Sequence, residues 1–127
     1  MAKGISMQIK GMDNVKKLLK EKGKEVVIRA DSAITTASFF MEGEVKSSIA
    51  GQRAEPKSVD TGRFLNSVTA SKIGIMKAIV ESEVGYAEDL EYGTSRINAR
   101  HHFTNSAQRN TSKINDFVQT EVNKISN

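Results

Sequence analysis

Cysteine and tryptophan are absent from the 127 residues, and Pro56 is the only proline. Without cysteine there can be no disulfide and no thiolate metal site, which suits synthesis in a reducing, intracellular setting. Five Phe and two Tyr are the only aromatics, so the interior is expected to be mostly aliphatic. No apolar run approaches the roughly 20 residues of a membrane span, so no membrane association is expected. The opening "MAKGISMQIKG" lacks the apolar stretch of a secretory signal. No GxGxxG or GxxxxGK(S/T) spacing is present, which removes the common phosphate-binding loops. The two histidines, His101 and His102, are adjacent and share no face of a helix or strand, and no carboxylate lies close in sequence. No metal or other cofactor is expected. No spacing assembles a nucleophile, a base and an electrophilic stabiliser, so no enzyme is expected either.

What is present fits one α+β domain over residues 1–127. The net charge is +4 and unevenly placed. The first 24 residues hold seven lysines against Asp13 and Glu21. Lys16, Lys17, Lys20 and Lys24 are therefore candidate DNA-facing residues, with a solvated helix face as the plainer reading. Ile5, Met7 and Ile9 alternate with polar residues and predict a short strand ended by Gly11. Asp13 can cap a helix. Apolar residues then recur every three or four positions from Val15 to Ile49, predicting a long helix with a kink or break at Gly23. Such a helix exceeds what a small core can cover, so part of its stripe is expected to face a neighbouring subunit.

Residues 50–63 and 94–102 read as flexible loops. Between them, Leu65–Lys72 and Ile75–Val84 predict a strand pair with Gly74 in the turn. "YAEDLEY" predicts a short helix stopped by Gly93, with Glu88, Asp89 and Glu91 as a solvated acidic face. Phe103, Ala107, Ile114, Phe117, Val118, Val122 and Ile125 predict one amphipathic C-terminal helix. The long N-terminal helix and this helix would pack on one face of a small antiparallel sheet.

Asp60-Thr61-Gly62 matches the catalytic triplet of aspartic proteases. In that chemistry two carboxyls share a proton, inside an all-β body. Here the triplet follows a helical pattern and a polar loop, and the Arg63 cation would lower the pKa of the carboxyl. A structural turn fits better. Asp60 can accept backbone N–H groups, Gly62 permits a positive φ, and Arg63 can pair with a carboxylate nearby or across a subunit boundary.

Two longer segments carry a resemblance. "VDTGRFLNSV" at 59–68 resembles the V-D-T-G-x-L-x-x-S-(I/V) signature of a family of minor tail and head–tail joining proteins of long-tailed phages and prophages. "VGYAEDLEYGTSRINARHHFTNSA" at 84–107 resembles that family's second block: V-G, then Y-A-x-x-(V/L)-E-(F/Y)-G-T, then a loop with P-x-P-F and an Ala-bearing helix start. The matching positions include Asp60, Thr61, Gly62, Arg63, Tyr86, Glu91, Tyr92, Gly93 and Thr94. The loop departs from the pattern, keeping Phe103 and Ala107 but no proline.

The resemblance implies a non-enzymatic virion protein of the tail-completion type. It would be made in the bacterial host cytoplasm and sit near the head–tail junction. Its expected partners are its own copies in a ring, most often a hexamer and a monomer before assembly, and the neighbouring tail-tube, terminator and head-connector proteins. DNA passing through the lumen would be contacted non-specifically. The matched residues are then structural or subunit-interface positions. Tail terminator and head-closure protein are alternative roles at the same junction. A DNA-binding module built on the basic N-terminal helix is the alternative of another class.

Overall fold

The computed structural model describes residues 4–10, 23–58 and 62–124. The Asp13 cap, Val15, Leu18, Leu19, Lys16, Lys17, Lys20, the motif residues Asp60 and Thr61, and Ile125 lie outside them. The fold is α+β, with helices packed against a three-stranded antiparallel sheet. In chain order the elements are β1 (Ile5–Lys10), α1 (Lys24–Ile49), α2 (Arg63–Ser67), β2 (Thr69–Gly74), β3 (Lys77–Ser82), α3 (Ala87–Tyr92), α4 (His102–Arg109) and α5 (Thr111–Asn123). The strand order is β1-β3-β2.

Strand register follows from which face is apolar. Met7 pairs with Val80 and Ile9 with Ala78. Ala78, Val80 and Ser82 are buried while Lys77 on the alternate face is exposed. A slip of one residue would turn this set outward. The helices cover the inward face. Along α1, Val26, Ala30, Ala33, Ile34, Ala37, Met41, Val45 and Ile49 are all buried at three- and four-residue spacing. Each fully buried Val, Ile or Met contributes roughly 1.5–3 kcal/mol. α5 lies along α1, burying Val118 and Val122, with Phe117 tilted against Phe40 at a ring separation of 5.4 Å.

α1 begins at Lys24, and Gly23 before it has φ 74, which a helix cannot pass through; the part of the expected long helix before Gly23 lies outside the described residues. Three boundaries differ from the sequence reading. Leu65–Ser67 is helical, in α2, rather than the start of a strand. Phe64, Leu65 and Val68 have helical spacing, and Gly62 at φ 85 swings the chain into the turn. The hairpin turn falls on Ile75 and Met76 rather than on Gly74, which is the last residue of β2. The C-terminal helix is two helices. Asn110, at φ −116 and ψ 12, separates them and sends its side-chain amide to the Ser106 carbonyl and the Glu44 carboxylate.

The turn carries backbone strain. Met76 has φ 52, in the left-handed region that costs a non-glycine residue about 1–2 kcal/mol. Two things offset it. The Met76 side chain is buried, and its N–H donates to Asp31 Oδ1 of α1 at 2.8 Å. Asp31 also pairs with Lys72 on β2. Burial opposes ionisation of Asp31, but the Lys72 and Met76 bonds outweigh it and hold the carboxyl below its ordinary range. Eleven residues on, Glu42 accepts the Ala70 N–H at 2.8 Å. The helix thus clamps the hairpin with two carboxylates. Asp31→Ala is expected to lower the unfolding free energy by about 1–3 kcal/mol, as read by urea denaturation. Lys72→Met should cost less than about 1 kcal/mol, because that ion pair is largely exposed. Equal losses would mean that the ion pair, not the turn N–H, is what Asp31 supplies.

Candidate functional site

The residues of the two sequence blocks meet. α2 and α3 face each other across a cleft of about 520 Å³. Gly62, Arg63 and Phe64 come from the first block, and Tyr86, Asp89 and Leu90 from the second. Phe64 is buried and meets the Tyr86 ring edge-on, with centroids 6.0 Å apart. Behind them, Ser67 Oγ lies 2.6 Å from Ser82 Oγ, tying α2 to β3. Arg63 is exposed at the start of α2 and has an interaction of its own. Tyr92 is exposed on α3. Of the four lysines marked as DNA-facing, only Lys24 is described, and it is exposed at the start of α1.

The second block also builds the cleft floor. Gly93 ends α3 with φ 81, and a Cβ there would come within 2.7 Å of the Ala99 nitrogen and 2.9 Å of the Ile97 carbonyl oxygen. Only glycine lets the chain fold back so tightly. Thr94 then locks the return: its N–H donates to the Ile97 carbonyl at 2.8 Å, and its Oγ1 accepts the N–H groups of Arg96 and Ile97, each at 3.1 Å. The returning strand of chain donates Arg100 N–H to the Leu90 carbonyl and His101 N–H to the Glu91 carbonyl. This places Ile97 and Arg100 in the cleft.

Glu91 corrects the sequence reading of a solvated acidic face. It is buried, and its two oxygens accept the N–H groups of Phe103 and Thr104 at 2.8 Å each. Those are unsatisfied donors of the first turn of α4. The residue in the cap position, His101, makes no side-chain cap bond and sits at φ 54. Glu91 therefore caps α4 from another helix, and Phe103 follows into the core.

A polar relay fixes the remaining wall. Glu55 of the 50–58 loop is buried and paired with Arg109 through both oxygens, at 2.9 and 3.0 Å. Asn105 Nδ2 and Ser48 Oγ donate to it as well, at 3.2 and 2.5 Å. The Arg109 hydrogen bonds are the main cause that holds the Glu55 carboxyl down at about 2. It is thus an acceptor only, and Ser48 must spend its hydroxyl proton on it. Ser48 Oγ lies 2.8 Å from His102 Nδ1, so that nitrogen carries the proton. Nε2 is then an acceptor, and it meets Ser58 Oγ at 2.7 Å. Arg100 Nη1 donates to the same Ser58 oxygen at 2.8 Å and to the Lys57 carbonyl at 3.0 Å.

Nothing in the sequence marked a serine and a histidine that would come together. By distance they form a nucleophile–base pair. The His102 ring is fully enclosed, however, with both nitrogens engaged. As arranged, the relay is a fastening. It ties α1, α4 and the 50–58 loop, which was read as flexible, into the wall that presents Lys57 and Ser58. Among the described residues no group of three or more His, Asp or Glu converges as a metal site, and no helix is long and apolar enough to cross a membrane.

Comparison of the chain with protein-family models, with curated proteins and with solved structures finds no match in any of the three.

Two outcomes test this site. Burial lowers the His102 pKa from its ordinary 6.5, an effect that outweighs the opposing pull of Glu91 and Glu55. The unfolded chain then binds the proton more readily, so the His102 contribution to stability is present above pH 6.5 and lost as pH falls below it. Glu55 adds a second loss, from its ordinary 4.5 down towards about 2. Denaturation midpoints measured across acid pH should fall in these two stages, with the first missing from His102→Gln. Separately, Glu91→Ala should destabilise the fold by roughly 2–3 kcal/mol and speed hydrogen exchange at the Phe103 and Thr104 amides. Glu91→Gln, keeping one acceptor oxygen, should lose about half of that.

Proposed function

We propose that this chain is a non-enzymatic structural protein of a tailed phage or prophage, of the tail-completion or head–tail joining type. In this reading it acts in the virion as a ring, most simply a hexamer, at the tail–head junction through which DNA passes. The observation that carries the reading is the convergence of the two family-like blocks on one cleft, with Phe64 against Tyr86 and Gly93 folding the second block back across it. Residues far apart in sequence that resemble one family's signatures are here neighbours in space.

The surface agrees with head-to-tail association. Ile28 and Phe39 are exposed on α1, at 69% and 58%, three turns apart on one face. Ile73 and Ile75 are exposed at the hairpin tip, Tyr86 and Ile97 on the cleft and Tyr92 on α3. A ring requires unlike surfaces that meet between successive copies, and unlike apolar patches supply them. The cleft and relay bind backbone and fix side chains, which is what an assembly component needs and requires no cofactor. Tail terminator and head-closure protein are neighbouring roles that share this architecture, since fold does not fix role.

The test is native mass over a wide concentration range, with negative-stain images, for the protein alone and mixed with tail tubes. A closed ring, alone or on the tube, is the expected result. A chain that stays monomeric and leaves tail tubes undecorated, or forms only a strict dimer, would overturn the reading. Salt-resistant, sequence-dependent DNA binding would favour the DNA-binding module instead.

A further inference from the structure

We infer that the cleft is a receptor for a protein segment that carries a carboxylate side chain close to a bulky apolar one. This rests on the assembly reading and states the chemistry of the neighbour that docks there.

The inference starts from a cation without a carboxylate partner among the described residues. Arg100 is half-buried in the cleft wall, and its hydrogen bonds go to neutral oxygens only, the Lys57 carbonyl and Ser58 Oγ. Both use Nη1, so Nη2 and Nε make no bond within the described residues. Nearby, Arg109 has the Glu55 carboxylate. Among the described residues Arg100 has no such partner, and neither has the Lys57 ammonium. A guanidinium taken partly out of water without a counter-charge is costly, and a planar carboxylate is the ligand whose geometry fits its open donors.

The position of Arg100 is fixed from both sides. Its backbone N–H is held by the Leu90 carbonyl, and its Nη1 by Ser58, itself fastened to the buried His102. The donors facing the cleft are thus pre-organised, which reduces the ordering cost of binding.

Beside these polar groups the cleft has an apolar part. Phe64 and Leu90 form its inner wall, and Tyr86 and Ile97 its rim, 39% and 36% exposed. An apolar side chain beside the bound carboxylate would cover them. Asp89 is the one carboxylate among the described lining residues, and it disfavours a ligand with several negative charges in a row. A nucleic acid strand needs a track of cations and open aromatic faces. Here the cleft's cations, Lys57, Arg63 and Arg100, share one pocket with Asp89, and the Tyr86 ring is already turned edge-on to Phe64.

The test is selection of short random peptides displayed on yeast, using the intact protein as bait. Lys57→Glu and Ile97→Asp serve as separate variants. Both residues are exposed, and thermal melts verify that the variants fold. Enriched peptides should pair Asp or Glu with Leu, Ile, Phe or Tyr within a few residues. Their affinity should fall at least about tenfold with Lys57→Glu, the scale of one charge-assisted hydrogen bond. Ile97→Asp should weaken the same peptides, and added salt should weaken them further. No enrichment, enriched peptides without a carboxylate, variants that bind as tightly as the unaltered protein, or displacement by a single-stranded oligonucleotide would each overturn the inference. Ring formation without any enriched peptide would sink this inference alone. Acidic–apolar peptides bound by a chain that never assembles would sink the assembly reading and leave the ligand of the cleft in place.

Discussion

A carboxylate placed inside a protein must be given partners, and Glu55 is given three: Arg109, Asn105 and Ser48. Much of the arrangement around the cleft depends on meeting that demand. Arg109 and Asn105 come from α4, Ser48 from α1, and Glu55 itself from the intervening loop. Because Ser48 must donate to Glu55, it can only accept from His102, and His102 can then only accept from Ser58. One charge thereby sets the direction of every hydrogen bond as far as the cleft. Removing any one partner would leave the buried Glu55 carboxylate under-satisfied, so the network resists piecemeal change.

The same economy appears elsewhere in the fold. Acidic side chains repeatedly serve backbone amides of other elements. Asp31 takes the N–H of a left-handed turn residue, Glu42 that of Ala70, and Glu91 those of Phe103 and Thr104. Each joins two elements distant in sequence. With few aromatics available for packing, charge-assisted bonds to the backbone supply much of the geometric definition that large side chains give other small domains.

The sequence was legible where structure repeats with a period. The alternation of Ile5, Met7 and Ile9, the stripe from Val26 to Ile49 and the stop at Gly93 all specify local structure, and each is found where it was expected. It was less legible where a residue serves two scales. Phe64 and Leu65 read as the start of a strand because polar neighbours follow, yet their spacing to Val68 is helical. Gly74 looked like the turn residue, but burial of the Met76 side chain outweighed its backbone strain. Asn110 sits within a continuous apolar stripe, and only its bond to Glu44 reveals why the helix stops. At the cleft, Gly62, Tyr86, Gly93 and Thr94 were marked in advance from motif spacing. Ser48, Glu55, Ser58, His102 and Arg109 were not. Their partnerships span 7 to 54 residues and follow no period, so nothing local announced them.

The bond from Ala70 to Glu42 has a further effect on the sheet. β2 is a margin of the sheet, and its outward amides are where another chain would add a strand. One of those amides is already taken by a carboxylate from α1, and Lys72 two residues on is drawn to Asp31 of the same helix. An incoming strand would have to dislodge a charge-assisted bond worth about 1.5–3 kcal/mol before gaining its first pairing. The sheet is thus guarded against lengthening on this side. Along β2 the chain is thereby protected from the uncontrolled strand-on-strand stacking that turns folded proteins into aggregates.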